Sequence, residues 1–443
     1  MLKRKSNRDF FIIVPPSFED LAIKELSIKW PLIINLFTSL TLTKTSDLTS
    51  DLTSDLNSDL KMDIITIHGG LLISIPEEMG YLLNTILKIP TRILMRLDSF
   101  KCKDFPKLFN KLTKFPWNNY LKGQIPSIEA SSTKSRLNHT GRIIETAEKA
   151  IKKYYIGQPP SKKSQEEASL IDIENFSIYI RFEDDLCTIS IDTSGEALYK
   201  RSYKKFVTRA PLRENLAAGL LLKLEEAINF PKEEAILIDP MTGSGTFLLE
   251  ALLFNTAIFS RNYSFTTFPL FKKYLKSYEK IDNFSNFSNS SNFILDNNHF
   301  KKYLGFDNDE RAIDAAKKNW ELANYQPPKD LQLIKADLFE EESTNKNLSP
   351  NSKIVIIVNP PYGVRLKQKE AKNQVLYFQK LLTSLINKFS PTLMAIIIPR
   401  DVDHRQIKYT PLSIFPFTHG GIKLNFIIYS NQHFLISTPN HYS

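Results

Sequence analysis

The chain has 443 residues, of which 42% are hydrophobic and 24% charged, a balance typical of a globular protein with two or three domains. Its formal net charge of +10 favours a polyanionic partner such as a nucleic acid. Two cysteines, seven scattered histidines and the lack of any run of roughly 18 apolar residues exclude a disulfide framework, a zinc site and a membrane span. We therefore expect a cytoplasmic protein that holds no metal.

The first half of the chain predicts two small α+β modules. The first comprises strand 10–14, helix 17–30, strand 64–75, helix 76–87 and strand 92–97. The second comprises helix 105–112, strand 126–131, helix 140–155 and strands 176–182 and 186–192, the last two joined by a hairpin turn at 183–185.

Three polar segments interrupt this pattern. Residues 45–60 repeat a four-residue Ser/Thr-Asp-Leu unit, and we interpret them as a solvated insertion because Ser, Thr and Asp compete with helical hydrogen bonds. Residues 281–299 are rich in Asn and Ser and predict a second insertion. Residues 158–167 predict a polar connector.

From about residue 209 strands and helices alternate, which is typical of a parallel sheet. Predicted helices cover 211–228, 246–259, 310–323 and 372–389, and predicted strands cover 235–239, 303–306, 331–336, 354–358, 393–398 and 424–429.

A glycine-containing loop, DPMTGSGT, joins the first of these strands to a helix. Gly243 and Gly245 let the backbone approach a ligand, and a helix start presents free N–H groups. Leu248 stands where a dinucleotide site has its third glycine, and the lysine of a P-loop is missing. Asp239 before the glycines suits a cationic or hydroxyl-rich ligand such as S-adenosylmethionine. A tight structural turn is the alternative.

Acidic residues also follow the next two strands. Asp307 could accept hydrogen bonds from both ribose hydroxyls of a nucleoside, and Asp337 could accept one from an adenine amino group. Each aspartate alone could instead be a helix cap or turn residue. Acids at three successive strand ends together favour a shared ligand site.

The fourth strand ends in Asn359-Pro360-Pro361-Tyr362. The prolines fix the backbone. The Asn359 side-chain oxygen and the Pro360 carbonyl can then accept both N–H groups of an exocyclic amine and aim its lone pair at a sulfonium methyl. Tyr362 would stack on the nucleobase, or it could merely cover the sheet edge.

Several segments in this order resemble the THUMP-domain-containing RNA methyltransferases of the large-subunit guanine-N2 type. They are FFIIVPPSFEDLAIKEL, SSTKSRLNHTGRIIETAEKAI, SGEALYKRSYK, APLRENLAA, DPMTGSGTFLLEA, GFDND and NPPYGVRL. The resemblance implies an α/β protein with a ferredoxin-like module at 1–78 (insertion 43–61), a THUMP RNA-binding domain at 79–194, and a Rossmann-like methyltransferase domain at 195–443 (insertion 281–299).

The resemblance also implies roles for individual residues. Asn359, Pro360 and Tyr362 would be catalytic and hold the guanine. S-adenosylmethionine would be bound by Asp239, Met241, Gly243, Ser244, Gly245, Thr246, Asp307, Asn308, Asp337 and Leu338. RNA-contact candidates are Lys134, Arg136, His139 and Arg142 in the THUMP-like segment and Arg201, Lys204, Lys205 and Arg209 further on, although such charges also occur on solvated faces.

Two departures from the family matter. Thr242 replaces a common cysteine, and only one methyltransferase domain is present, so we expect no second activity. The leading hypothesis is methylation of a 23S rRNA guanine on N2. A tRNA guanine-N2 enzyme, a DNA adenine-N6 or protein glutamine-N5 enzyme, and an RNA-binding assembly factor with an inactive pocket remain alternatives.

Overall fold

The computed structural model describes residues 7–42, 63–159, 177–207, 211–258, 261–271, 300–323, 331–339, 352–361 and 374–433. Both predicted insertions, Tyr362 and Arg209 lie outside these residues. The chain divides into two compact units. The first comprises 1–15, 22–198 and 256–295, and the second comprises 16–21, 199–255 and 296–443.

The first unit is built on a seven-stranded sheet in the order β2-β3-β1-β4-β7-β6-β5. Its strands are antiparallel except for β5 and β6. The strands are β1 (Asn7–Ile13), β2 (Ile64–Ile67), β3 (Gly70–Pro76), β4 (Arg92–Lys101), β5 (Ser127–Thr133), β6 (Ser177–Glu183) and β7 (Leu186–Asp192). The helices preceding the second unit's sheet are α1 (Glu19–Leu42), α2 (Glu77–Ile86), α3 (Phe105–Lys114) and α4 (Thr140–Gly157).

One sheet therefore joins the two modules predicted for the first half. The ten-residue strand β4 pairs with β1 at one end and with β7 along most of its length. The boundary predicted after residue 78 falls inside α2. The boundary predicted after residue 194 lies close to the division between the two units after Leu198.

Local differences from the predicted elements have simple causes. The predicted strand 64–75 is the hairpin β2–β3, because the chain reverses at Gly69, whose φ of 85° suits glycine. Helix α1 continues to Leu42 although it contains Pro31. Residues 261–271 belong to the first unit, where Phe265 stacks on the buried Tyr81 ring at 4.9 Å, and the sequence did not predict this packing.

The second unit is a Rossmann-like layer structure whose sheet order is β10-β9-β8-β11-β12-β14-β13. The first five strands in this order are parallel, and β14 runs antiparallel to both of its neighbours, β12 and β13. The strands are β8 (Ala235–Asp239), β9 (Lys302–Asp307), β10 (Leu331–Lys335), β11 (Lys353–Val358), β12 (Leu393–Pro399), β13 (Ser413–His419) and β14 (Ile422–Ser430). The helices are α5 (Glu214–Glu225), α6 (Thr246–Leu253), α7 (Glu310–Leu322) and α8 (Gln374–Phe389).

This topology confirms the predicted fold class and fixes where a ligand can bind. From β8 the chain proceeds through β9 to β10 on one side, and then returns to place β11 on the other side of β8. The carboxyl ends of β8 and β11 therefore flank the point at which the strand order reverses, where open α/β sheets form a binding crevice. Strand β13 was not predicted because Pro416 interrupts its pattern.

Apolar strands explain the stability of this unit. The central strands β8 and β11 carry fully buried residues such as Ile238 and Ile356, and α8 covers them with Phe378 and Leu382. Burial on both faces of the sheet is the reason for the continuous apolar runs in the sequence. Within the described residues, no helix combines the length and apolar character that crossing a bilayer requires.

Replacing Gly80 by alanine should destabilise the first unit. Gly80 lies in α2, and a Cβ at this position would overlap the ring of Phe10, which is fully buried in β1. Overpacking of this kind costs about 1–3 kcal/mol of unfolding free energy. Urea unfolding followed by circular dichroism should show a lower midpoint for Gly80→Ala than for the wild type.

Gly157→Ala provides the control for this experiment. Gly157 is the last residue of α4, and a Cβ there meets none of the described atoms within 4 Å. Equal midpoints for the two variants would contradict the packing explanation.

Candidate active site

A cleft of about 280 Å³ lies at the carboxyl ends of the parallel strands in the second unit. It collects residues from the ends of four strands, as expected at a topological switch point. Its lining comprises Pro211, Leu212, Asp239, Pro240, Met241, Thr242, Gly243, Ser244, Thr246, Phe247, Asp307, Asn308, Ala336, Asp337, Leu338, Phe339, Asn359 and Pro361.

The glycine loop leads from β8 directly into α6. Gly243 and Gly245 adopt φ angles of 54° and 81°, a left-handed conformation that side chains disfavour. The Thr242 N–H donates to the Phe306 carbonyl at 2.8 Å, so the loop is tied to the end of β9. The loop therefore has a fixed shape, with the start of α6 directed at the cleft.

Asp239 is an ionisable group that the fold removes from water. Its residue exposure is 2%, and burial raises the pKa of its carboxyl to about 8. The Met241 N–H, 3.3 Å from Oδ1, opposes this rise in pKa, whereas the negative charge of Asp307 adds to it. A cationic or hydrogen-bonding ligand would relieve this unfavourable burial.

Asp307 has both a structural role and an exposed edge in the cleft. Its Oδ2 accepts the Gly243 N–H at 2.9 Å, and its Oδ1 accepts the Asp309 N–H at 3.0 Å. Burial raises the pKa of Asp307 as well, against the effect of these two N–H groups. Each carboxylate oxygen has a second lone pair, so Asp307 can still accept hydrogen bonds from a ligand.

Asn359 follows β11 and contributes an acceptor to the cleft. Its Oδ1 is buried and has no hydrogen-bond partner among the described residues. A buried, unpaired acceptor is unfavourable, which suggests that a ligand N–H occupies this position in the working protein. Pro360 is buried, and Pro361 lines the cleft.

The cleft gathers most of the predicted cofactor residues. Gly245 alone is absent from its lining, because this residue packs towards Ala316 of α7. The sequence interpretation missed Pro211, Leu212, Phe247 and the half-exposed Phe339, which also line the cleft. For Phe339 the available signal was an aromatic residue two positions after the acid Asp337.

The RNA-contact candidates of the first unit share one exposed region. Lys134, Arg136, His139 and Arg142 are all exposed and flank the start of α4. His139 caps that helix, since its Nδ1 accepts the Arg142 N–H at 3.3 Å. The Arg142 guanidinium lies 4.5 Å from the centre of the Phe105 ring, so an aromatic face adjoins the basic residues.

Two other RNA-contact candidates, Arg201 and Lys204, have side chains that are buried in the second unit. Arg201 is 4% exposed and is paired at 3.2 Å with Glu250, which also accepts a hydrogen bond from the Tyr203 hydroxyl. The Lys204 side chain is 2% exposed, with its Nζ 3.3 Å from Glu214. Both cations neutralise buried carboxylates, so neither is available to a phosphate. Lys205 is exposed and remains a candidate.

Comparisons with known proteins agree with this fold. The "Ribosomal RNA large subunit methyltransferase K/L" of Marinomonas sp. is 26% identical over 348 residues, covering 76% of this chain but 45% of the relative. A "possible methylase" of Clostridium difficile 630 has a TM-score of 0.66 at 25% identity, covering 96% of this chain and 98% of that structure. The protein SMU.472, crystallised with S-adenosylhomocysteine (SAH), has a TM-score of 0.67 at 21% identity, covering 96% and 98%.

The second unit thus has the fold of a Rossmann-like methyltransferase domain. Residues 201–407 match the family model described as an RMKL-like methyltransferase domain. The chain spans less than half the length of the Marinomonas relative.

Asp239→Asn should raise the stability of the ligand-free protein at pH 8. Because the folded-state pKa of about 8 exceeds the ordinary value of 3.8, the folded protein retains a proton that the unfolded chain has lost. Wild-type stability should therefore fall as pH rises from about 4 to about 8. Asparagine removes the buried charge and keeps an acceptor for the Met241 N–H. Urea unfolding should show a clear gain in unfolding free energy at pH 8 and a much smaller gain at pH 5.

Asp309→Asn is the control for this experiment. Asp309 is exposed enough to pair with Arg311, which lowers its pKa, so its replacement should not give the same gain. Asparagine can still cap α7 there. An unchanged pH dependence in Asp239→Asn would contradict the buried-charge explanation.

Proposed function

We propose that the protein transfers a methyl group from S-adenosylmethionine to the exocyclic N2 of a guanine in 23S ribosomal RNA. The observation that carries this proposal is the buried Asn359 Oδ1 at the end of β11, which has no hydrogen-bond partner within the described part of the chain and shares its cleft with the glycine loop of β8. One side of the cleft offers acceptors and helix N–H groups to a donor molecule. The other side offers an acceptor to an amine.

The donor side fits S-adenosylmethionine by its chemistry. This cofactor combines a positive sulfonium and amino group with two ribose hydroxyls and an adenine amino group. The buried Asp239 would ionise against the positive charge of the cofactor, Asp307 would accept the ribose hydroxyls, and Asp337 would accept the adenine amino group. The bound cofactor supplies an electrophilic methyl group. The SAH in the SMU.472 crystal, the demethylated form of this cofactor, supports the same assignment.

The acceptor side suits an amine whose lone pair is delocalised into a heterocycle. Asn359 Oδ1 would accept one N–H and the Pro360 carbonyl the other, which orients the nitrogen for attack. The oriented nitrogen would form its bond to the methyl carbon as the carbon–sulfur bond breaks, and it would then lose a proton to water. Tyr362 lies outside the described residues, and its stacking on the base remains a prediction.

RNA as the substrate is supported by the net charge of +10 and by the ribosomal RNA substrate in the name of the Marinomonas relative. We assign RNA binding to the basic region at the start of α4 and interpret residues 79–194 as a THUMP domain. Guanine N2 rests on the family resemblance, because an NPPY loop also serves adenine N6 and glutamine N5.

The direct test is methyl transfer by the purified chain. Radiolabelled S-adenosylmethionine would be supplied with 23S rRNA, total tRNA or double-stranded DNA, and the products would be digested to nucleosides for mass spectrometry. N2-methylguanosine from 23S rRNA is the expected product. The same nucleoside from tRNA alone, or N6-methyladenine from DNA, would replace the rRNA assignment. Failure to bind SAH would remove the methyltransferase proposal and favour an RNA-binding assembly factor.

Asn359→Ala should abolish most turnover without loss of cofactor affinity. Removing one preorganised polar contact from a reacting centre typically lowers kcat by about 10²–10³-fold. Single-turnover kinetics should show this loss, and calorimetry should give an SAH dissociation constant within about twofold of the wild type. Asn359→Asp keeps an acceptor oxygen, so we expect it to retain more activity than the alanine variant. A fully active alanine variant would disprove the assigned role.

Charge reversal at Lys134 and Arg142 should weaken RNA binding. Each phosphate contact removed lowers the slope of log affinity against log salt by roughly 0.7–0.9. Filter binding between 50 and 300 mM KCl should show weaker affinity and a shallower slope for the Lys134→Glu/Arg142→Glu variant, with SAH affinity unchanged. Lys152→Glu/Lys153→Glu on the later part of α4 makes the same change in net charge and is the control. An equal loss in both variants would point to net charge rather than to a defined surface.

A further inference from the structure

The side chain of Asn319 forms a fully buried link in the second unit. It projects from α7 with 0% exposure. Its Oδ1 accepts the backbone N–H groups of Lys205 and Phe206 at 3.2 and 3.0 Å. Its Nδ2 donates to the carbonyls of Phe206 and Ser244 at 2.7 and 3.1 Å. All four hydrogen bonds that a carboxamide can readily form are therefore made.

One end of this link holds the glycine loop. The Ser244 carbonyl accepts from Asn319, while the N–H on the other side of the same peptide, that of Gly245, donates to the Thr242 carbonyl at 2.8 Å. This peptide is therefore held at both ends. Close packing supports the arrangement, because a Cβ at Gly245 would lie 3.2 Å from Ala316 Cβ, one turn before Asn319.

The other end of the link holds residues 201–206, which we call the anchor segment. Arg201 and Tyr203 bind Glu250 of α6, and Lys204 binds Glu214 of α5. Further along the chain, Pro211 and Leu212 form part of the cleft wall. The Asn319 carboxamide thus connects the glycine loop, which lines the cleft, to the anchor segment. The anchor segment in turn precedes Pro211 and Leu212, which form another part of the cleft wall.

We propose that Asn319 is a positioning residue that sets the shape of the glycine loop and couples cofactor binding to the anchor segment. This inference rests on the proposed function, since it assumes that the cleft binds S-adenosylmethionine. Asn319 does not line the cleft, so it acts through the Ser244 peptide and not by touching the ligand. A purely structural amide would affect the stability of the fold but not cofactor affinity in the folded protein.

Asn319→Asp separates the two halves of the link. Aspartate retains acceptors for the Lys205 and Phe206 N–H groups but replaces the NH₂ with an oxygen that faces the Phe206 and Ser244 carbonyls. Losing a buried donor and opposing two acceptors should raise the dissociation constant for SAH about tenfold. Isothermal titration calorimetry would measure it, and thermal unfolding of the same samples would report the folded fraction.

Asn84→Asp in the first unit is the matched control. Asn84 is 3% exposed, donates to Thr193 Oγ1 at 3.0 Å and accepts from Ser194 Oγ at 2.7 Å. Asn84→Asp removes the donor of a comparable buried network and keeps its acceptor, as Asn319→Asp does. In the sequence, Asn84 is far from the cofactor residues. We expect a similar fall in melting temperature for the two variants, with SAH affinity within about twofold of the wild type only for Asn84→Asp.

Hydrogen–deuterium exchange of the wild type gives a test that does not depend on variant folding. Saturating SAH should slow exchange of the Lys205 and Phe206 amides, because Asn319 holds both. An unchanged exchange rate, or an Asn319→Asp variant that binds SAH as tightly as the wild type, would overturn the inference. If the wild type itself failed to bind SAH, the proposed function would fail instead.

Discussion

The buried carboxylate of Asp239 is the constraint on which the cleft depends. The first four residues of strand β8 are apolar, yet the strand ends in Asp239, which is 2% exposed and whose pKa is raised to about 8. A protein selected only for stability would favour an uncharged residue there. The flanking Met241 N–H stabilises the anion only in part, so the arrangement makes sense when a complementary ligand completes it. Asn359 is a second example, because its neutral side-chain oxygen is buried and finds no hydrogen-bond partner among the residues that the structure describes.

Hydrogen bonds hold the glycine loop beside these unfavourable groups in a fixed position. The Gly243 N–H donates a hydrogen bond to Asp307, and the Thr242 N–H donates one to the end of β9. The Ser244 carbonyl accepts a hydrogen bond from Asn319. Buried ion pairs add little net stability, because removing two charges from water offsets much of their attraction. The pairs formed by Glu250 and Glu214 are therefore better explained as fixing the geometry of the anchor segment. Losing one partner would leave a buried charge unpaired, so the pairs also resist rearrangement.

The parts of this structure that the sequence predicts are those governed by local physics. Apolar runs ending in Asp239, Asp307 and Asn359 predicted strands whose carboxyl ends meet, and the cleft contains all three residues. The parallel order follows from alternating strands and helices, and the glycines identify the loop. None of these inferences requires knowledge of a distant contact.

The features that could not be predicted depend on long-range packing. Arg201 and Lys204 have the composition of a phosphate-binding segment, and only the three-dimensional proximity of Glu250 and Glu214 shows that they are internal ion pairs. The sequence pattern predicts two separate modules in the first half of the chain. Strand β4 joins them into one sheet, because it is long enough to pair with both β1 and β7. In the sequence Asn319 looks like an ordinary residue of an amphipathic helix. Its hydrogen-bond partners Phe206 and Ser244 lie 113 and 75 residues away along the chain. A buried amide is informative only once its partners are known, because its hydrogen-bonding capacity is the same in a solvated helix and in the interior of a binding site.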